Sequence, residues 1–149
     1  MPPLPCLGNI RVLTDMMPVK GPLVGIYTGL YESKTNYNLV VAGDMPFLNK
    51  DLLAYMLEIA HGYELVIPRV KGALEPLHAV YSRECLPPVK SMLDSGRYSV
   101  NELSGLSRAR YVQEDEINRF DPLHLSFFNI NTLADLEKAK NIMEGVTLN

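Results

Sequence analysis

The chain has 149 residues, of which 47% are hydrophobic and 21% charged, and its formal net charge is −3. That length predicts a single domain, residues 1–149, with room for one sizeable core but not for two. A pI near 5.6 argues against nucleic acid as the main partner, because no basic block is available to neutralise a phosphate backbone. Cys6 and Cys85 are too few and too far apart for a disulfide framework, so a reducing cytoplasm is the expected compartment. No apolar run approaches the roughly 18 residues of a membrane span, so no membrane partner is expected. Met1-Pro2-Pro3-Leu4 lacks the basic and apolar parts of a signal peptide.

Strands and helices alternate along the sequence. Ile10-Arg11-Val12-Leu13 is a short strand candidate before Asp15. Gly21-Pro22 opens a helix, with proline at its first position and Leu23, Ile26, Tyr27, Leu30 and Tyr31 as the apolar stripe. A buried strand is expected over 37–43. Asn49 can cap a second helix carrying Leu52, Leu53, Met56, Ile59 and Ala60, which Gly62 ends. Strands are expected from Glu64 to Pro68 and from Leu77 to Ser82, with Gly72 turning between them. Pro87-Pro88 opens a short helix ended by Gly96, and Ser99-x-x-Glu102 is a possible capping box before a strand from Arg110 to Gln113. Phe127-Phe128-Asn129-Ile130 reads as a last strand, and Thr132-x-x-Asp135 caps a helix to about Met143. Such alternation implies a mostly parallel sheet covered on both faces. Met56, Met92 and Met143 fall at core spacing.

Three motifs sit at strand-to-helix junctions. In Val40-Val41-Ala42-Gly43-Asp44-Met45-Pro46 an apolar run delivers one carboxylate to a strand's carboxyl end, where open α/β sheets bind ligands. A hard oxygen donor with no cysteine or histidine nearby suits Mg²⁺ holding a phosphate; the simpler alternative is an aspartate capping the turn before Pro46. Asp15 with Gly21-Pro22 either starts a helix or turns that helix's amides toward a nucleotide. In Asn129-Ile130-Asn131-Thr132 the two asparagines point to the same side and offer donors and acceptors. Asn131 or Thr132 can act as a helix cap, whereas Asn129 has no such role. His61, His78 and His124 lack the spacing of a metal site and read as structural or surface residues; His78 enters a strand from a loop that could reach the site. Arg69 and Lys71 read as solvated.

In order, Asp15 with Gly21–Leu30, Val41–Leu48, Glu75–Tyr81 and Phe128–Leu136 resemble the molybdopterin guanylyltransferase family of nucleotidyltransferases, over roughly residues 10 to 142. Gly29 departs from the alanine more usual there. The resemblance implies an α/β, Rossmann-like three-layer sandwich. It further implies that Asp44 binds Mg²⁺ and the nucleotide phosphates, that Asp15 and Gly21 belong to the GTP side, and that Asn129 and Asn131 hold molybdopterin. The implied reaction is attack by the terminal phosphate of molybdopterin on the α-phosphate of GTP with release of pyrophosphate. The family's glycine-rich loop, Leu-Ala-Gly-Gly followed by a basic residue, has no counterpart before Ile10, so an amino-terminally incomplete version of the fold with little or no guanylyltransferase activity of its own is expected. Alternatives are another nucleotide such as CTP, or a non-catalytic module binding the pterin or a partner chain. An uncovered apolar strand at 37–43 implies a homo-oligomer or a complementing amino-terminal piece.

Overall fold

A computed structural model describes Thr14, Met16, Met17 and residues 21–145; the strand expected at Ile10–Leu13 and Asp15 lie outside the described residues. The elements are α1 (Pro22–Glu32), β1 (Tyr37–Val41), α2 (Lys50–Glu58), β2 (Leu65–Val70), β3 (Ala73–Leu74), β4 (His78–Ser82), α3 (Leu86–Asp94), α4 (Val100–Gly105), β5 (Ala109–Val112), α5 (Glu114–Asn118) and α6 (Leu133–Met143). Local chemistry sets most of their boundaries. Gly21 sits at φ 126° before Pro22, a conformation L side chains rarely adopt. Asn49 Oδ1 accepts from Leu52 N–H at 2.9 Å, and Thr132 and Asp135 form a reciprocal capping box. Lys71 (φ 52°) and Gly72 (φ 78°) turn β2 back into β3.

The two inner strands divide the core into two layers. Leu65 and Ile67 of β2 and Ala79 and Tyr81 of β4 face α1, α3 and α4, meeting Leu23, Leu30, Val89, Met92 and Leu103. Val66 and Val80, from the alternate positions, face Leu52 and Met56 of α2, Val112 and Ile117. Helices therefore cover both faces, the expected three-layer arrangement. Tyr31, expected on the buried stripe of α1, is instead exposed and leans on Tyr27 with ring centroids 6.1 Å apart. Met143 is exposed as well, in the last turn of α6, whereas Met56 and Met92 are fully buried.

Strand order is β1-β4-β2, with β3 and β5 also paired to β2. The parallel expectation holds for strand direction and not for the ladders. β1, β2 and β5 run the same way, but β4 lies between β1 and β2 in the opposite sense, and β2–β5 is the one parallel pair among the described residues. The cause is the short link 71–77, too short for the dozen or more residues a parallel crossover needs. The strand expected over 37–43 is not buried: β1 pairs with β4 alone among the described strands, and Leu39 and Val41 are 39% and 41% exposed, which agrees with the expectation of an uncovered apolar strand there.

Candidate functional site at the carboxyl ends of the strands

β1 ends at Val41, opposite His78. Ala42 N–H still reaches Leu77 O at 2.9 Å, after which the chain turns, Met45 N–H donating to Ala42 O at 3.4 Å. Asp44 occupies this turn, half-buried. Its backbone carbonyl accepts from Ile130 N–H at 2.9 Å. Its carboxylate takes no hydrogen bond and no ion pair from any described residue. A turn-capping aspartate uses its side chain on nearby amides; here the backbone holds the turn and leaves the carboxylate free.

The segment that reaches Asp44 is built by packing. The strand expected at Phe127–Ile130 does not form: Leu125–Phe127 is a short 3₁₀ turn followed by extended chain. Asp121, itself buried, accepts from Leu125 N–H at 3.0 Å and Ser126 N–H at 2.8 Å, and His124 adopts φ 55°. These bonds hold the turn, within which the Phe127 and Phe128 amides donate to His124 O at 3.2 Å and Leu125 O at 3.1 Å in place of a ladder. The two phenylalanines then pin the segment from different sides. Phe127 packs on His78 with centroids 4.8 Å apart, and Phe128 on Phe47 at 6.0 Å. Ile130 is thereby delivered to Asp44.

Asn129 and Asn131 flank that contact, so the structure brings both next to Asp44 along the chain. Asn129 is half-buried and donates through Nδ2 to Phe127 O at 3.3 Å. Asn131 is exposed, and its N–H goes to Asp135 Oδ2 at 3.1 Å; that amide and the Thr132 cap hold the Asp135 carboxyl below its ordinary range. Gly21 opens α1 on the other side of the sheet, and no hydrogen bond joins it to Asp44 or to residues 127–131.

β2 and β1 end at the same edge of the sheet, and a cavity of about 580 Å³ lies there between the β2–β3 turn and residues 123–128. Phe127, Phe128 and Val70 form apolar walls, while Lys71, Lys138 and Glu75 add charge. Lys138 Nζ stands 5.8 Å from the Phe128 ring, and burial pushes the Glu75 carboxyl up. Its size falls within the range of small-molecule sites. Sequence reading missed Phe127, Phe128 and Lys138 as site residues; the signal was an aromatic pair directly before Asn129, taken for strand content. Arg69, expected to be solvated, stacks on Tyr111 at 4.5 Å.

No group of three or more His, Cys, Asp or Glu side chains converges among the described residues. Mg²⁺ is commonly held by one or two carboxylates together with substrate phosphates. A single free carboxylate therefore fits an ion that arrives with a nucleotide, and Asp44 is the residue that would hold it. No helix among the described residues is long and apolar enough to cross a membrane.

Comparison with known proteins agrees with this architecture. Residues 4–111 match the MobA-like NTP transferase domain. The chain is 41% identical over 131 residues to a Methanosarcina mazei protein named "Probable molybdenum cofactor guanylyltransferase", covering 87% of this chain and 58% of that one. It is 37% identical over 140 residues to the molybdenum cofactor guanylyltransferase of Desulfosudis oleivorans, covering 93% and 69%. The crystal structure of molybdopterin-guanine dinucleotide biosynthesis protein A from Archaeoglobus fulgidus superposes with a TM-score of 0.77 at 26% identity, over 89% of this chain and 67% of that one. The chain thus spans 58% and 69% of the length of these two curated relatives. It belongs to the MobA-like NTP transferase domain family.

Proposed function

We propose that this chain, as one cytoplasmic domain, serves guanylyl transfer from GTP to molybdopterin, with Asp44 on the nucleotide side and Asn129, Asn131 and the adjoining cavity on the pterin side. The observation that carries this reading is the free Asp44 carboxylate, fixed through its backbone to Ile130 between the two asparagines. The names of the relatives supply the substrates; the geometry supports where each would lie. In the transfer, a terminal phosphate oxygen of molybdopterin bonds to the α-phosphorus of GTP while the bond to the leaving pyrophosphate breaks. Such displacements need alignment and charge neutralisation more than a covalent nucleophile. Mg²⁺, when bound with the nucleotide, supplies much of that neutralisation. The protein's share is to fix the Asp44 carboxylate, to offer Asn129 donors to a polar heterocycle edge, and to place Lys71 and Lys138 where a phosphate can approach. Asp15 and Gly21 are assigned to the nucleotide on the resemblance of their motif alone.

Binding is the direct test. Mg²⁺·GTP and Mg²⁺·CTP are titrated calorimetrically into the 149-residue chain and its Asp44→Asn variant. The expected result is preferential GTP binding that Asp44→Asn weakens about tenfold or more, the loss of a charge-assisted contact. An identical titration for both proteins returns Asp44 to a structural role, and preferential CTP binding changes the nucleotide.

A further inference from the structure

Glu75 lines the cavity beside the β2–β3 turn with its backbone fixed on both sides and its carboxyl free. Its N–H donates to Pro68 O at 2.9 Å, its C=O accepts from His78 N–H at 3.2 Å, and Tyr81 OH holds the next residue through Pro76 O at 2.6 Å. The side chain is half-buried and takes no hydrogen bond and no ion pair from any described residue. It is the one carboxylate among the described lining residues. His124, at the same wall, is already engaged, its Nε2 standing 2.6 Å from Asn118 Oδ1. Lys71 and Lys138 are exposed, and neither forms an ion pair with Glu75 or with another described residue. The cavity thus carries an anionic point and two cationic points that leave one another unpaired, together with the half-buried rings of Phe127 and Phe128. A ligand that satisfies all of them is flat, with N–H donors at one end and negative charge at the other.

We propose that Glu75 is the specificity-determining residue of this cavity, its carboxylate accepting both adjacent N–H donors of a phosphate-bearing ring with a 2-amino-4-oxopyrimidine edge. Such an edge sets a ring N–H beside an amino N–H, the two-donor pattern that a carboxylate accepts in parallel. The edges of adenine, cytosine and uracil mix acceptors with donors and would turn lone pairs toward the carboxylate, which selects against them. Burial already disfavours the bare charge of Glu75, so paired donors there count for more than they would on a solvated carboxylate. The phosphate falls to Lys71 and Lys138, and the ring to the aromatic wall. Pterin and guanine share this edge. The inference rests on the pterin-side reading of the cavity for its choice of pterin, and on the residues themselves for the chemistry.

The probes are a pterin with a phosphomethyl arm and the matching lumazine, in which oxygen replaces the 2-amino group. GMP and IMP, which differ by the same amino group, form the second pair. Each is titrated calorimetrically into the full chain at about pH 8, where the carboxyl is ionised. Wild type is expected to bind the pterin about tenfold or more tightly than the lumazine, and Glu75→Gln to bring that ratio to one or below with Tm unchanged. The ratio is the deciding quantity, because a merely structural Glu75 would weaken both ligands alike and preserve it. A preference that survives Glu75→Gln therefore overturns the inference and leaves the pterin-side reading standing. A preference for GMP over IMP that Glu75→Gln abolishes, with no binding of the pterin probe, supports Glu75 as the reader of the edge and removes pterin from the cavity. Equal binding of pterin and lumazine by wild type, or binding of none of the probes at millimolar concentration, overturns the inference.

Discussion

His78 should make this fold acid-sensitive well above the carboxylate range. The side chain is fully buried on β4 against Phe127, and neither ring nitrogen has a hydrogen-bond partner among the described residues. Burial lowers its pKa from the ordinary 6.5, outweighing the opposing effects of its own backbone and of the Asp121 charge. The unfolded chain therefore takes up a proton near pH 6.5 that the folded chain resists, so stability is lost as pH falls below that value. At about pH 5.5 an unfolded imidazole is roughly ten-to-one protonated. If the buried ring stays neutral, the loss relative to pH 7.5 approaches about 1.4 kcal/mol, or about 5 °C in Tm for a domain of this size. Urea unfolding of wild type and His78→Leu at about pH 7.5, 6.5 and 5.5 measures the effect as a double difference. Leucine keeps the apolar contact and removes two unpaired nitrogens, so the variant should match or exceed wild type at pH 7.5. The gap between them should then widen in acid by about 1.4 kcal/mol at most. Stability curves that fall in parallel would show that burial does not hold His78 neutral.

Three further outcomes are expected. Glu116 accepts from Arg110 at 2.5 and 3.0 Å, from Tyr55 OH at 2.5 Å and from Gln113 N–H at 2.9 Å, and the Arg110 guanidinium draws its pKa down to about 2; Glu116→Gln should cost about 2–3 kcal/mol near neutral pH, a difference that closes between about pH 4.5 and 2 in denaturant titrations. Asn49 caps α2 and also donates to Phe120 O at 2.9 Å, so Asn49→Ala should destabilise by about 1–2 kcal/mol in the same assay. Ile130→Pro keeps every candidate site side chain but removes the N–H that holds Asp44, and should weaken calorimetric Mg²⁺·GTP binding nearly as far as Asp44→Asn does while leaving the far-ultraviolet spectrum intact.

Features set by neighbours in sequence could be read from it. The caps at Asn49, Ser99 and Thr132, the Gly72 turn and the proline starts of α1 and α3 each depend on a few adjacent residues, and each stands where expected. Features set by distant partners could not. Phe127–Ile130 has strand-like composition, yet the Phe127 and Phe128 amides donate within the 3₁₀ turn that Asp121 holds, and two rings fix the segment's path. β1 is apolar enough for a central strand, and its own residues do not show that it pairs on one side alone among the described strands; that expectation came from the family resemblance. The antiparallel placement of β4 was in fact legible, since seven linking residues cannot cross over. For the site, motif order alone put Asp44 and Asn129 together; no periodicity foretells the Ile130–Asp44 bond across 86 residues.

The way Asp44 is held bears on how the site can be tuned. Its turn is closed by backbone groups, so the carboxylate is not engaged in holding the fold and can meet a cation without a structural cost. The price is a dependence on residues 127–130, and these rest on ring contacts worth about 0.5–1.5 kcal/mol each beyond their burial, not on a ladder. One of those rings is His78. A proton there adds charge behind Phe127, in the position that delivers Ile130 to Asp44. Stability and site geometry therefore share one titratable contact, and acid should loosen the candidate site before the two core layers on β2 and β4 give way.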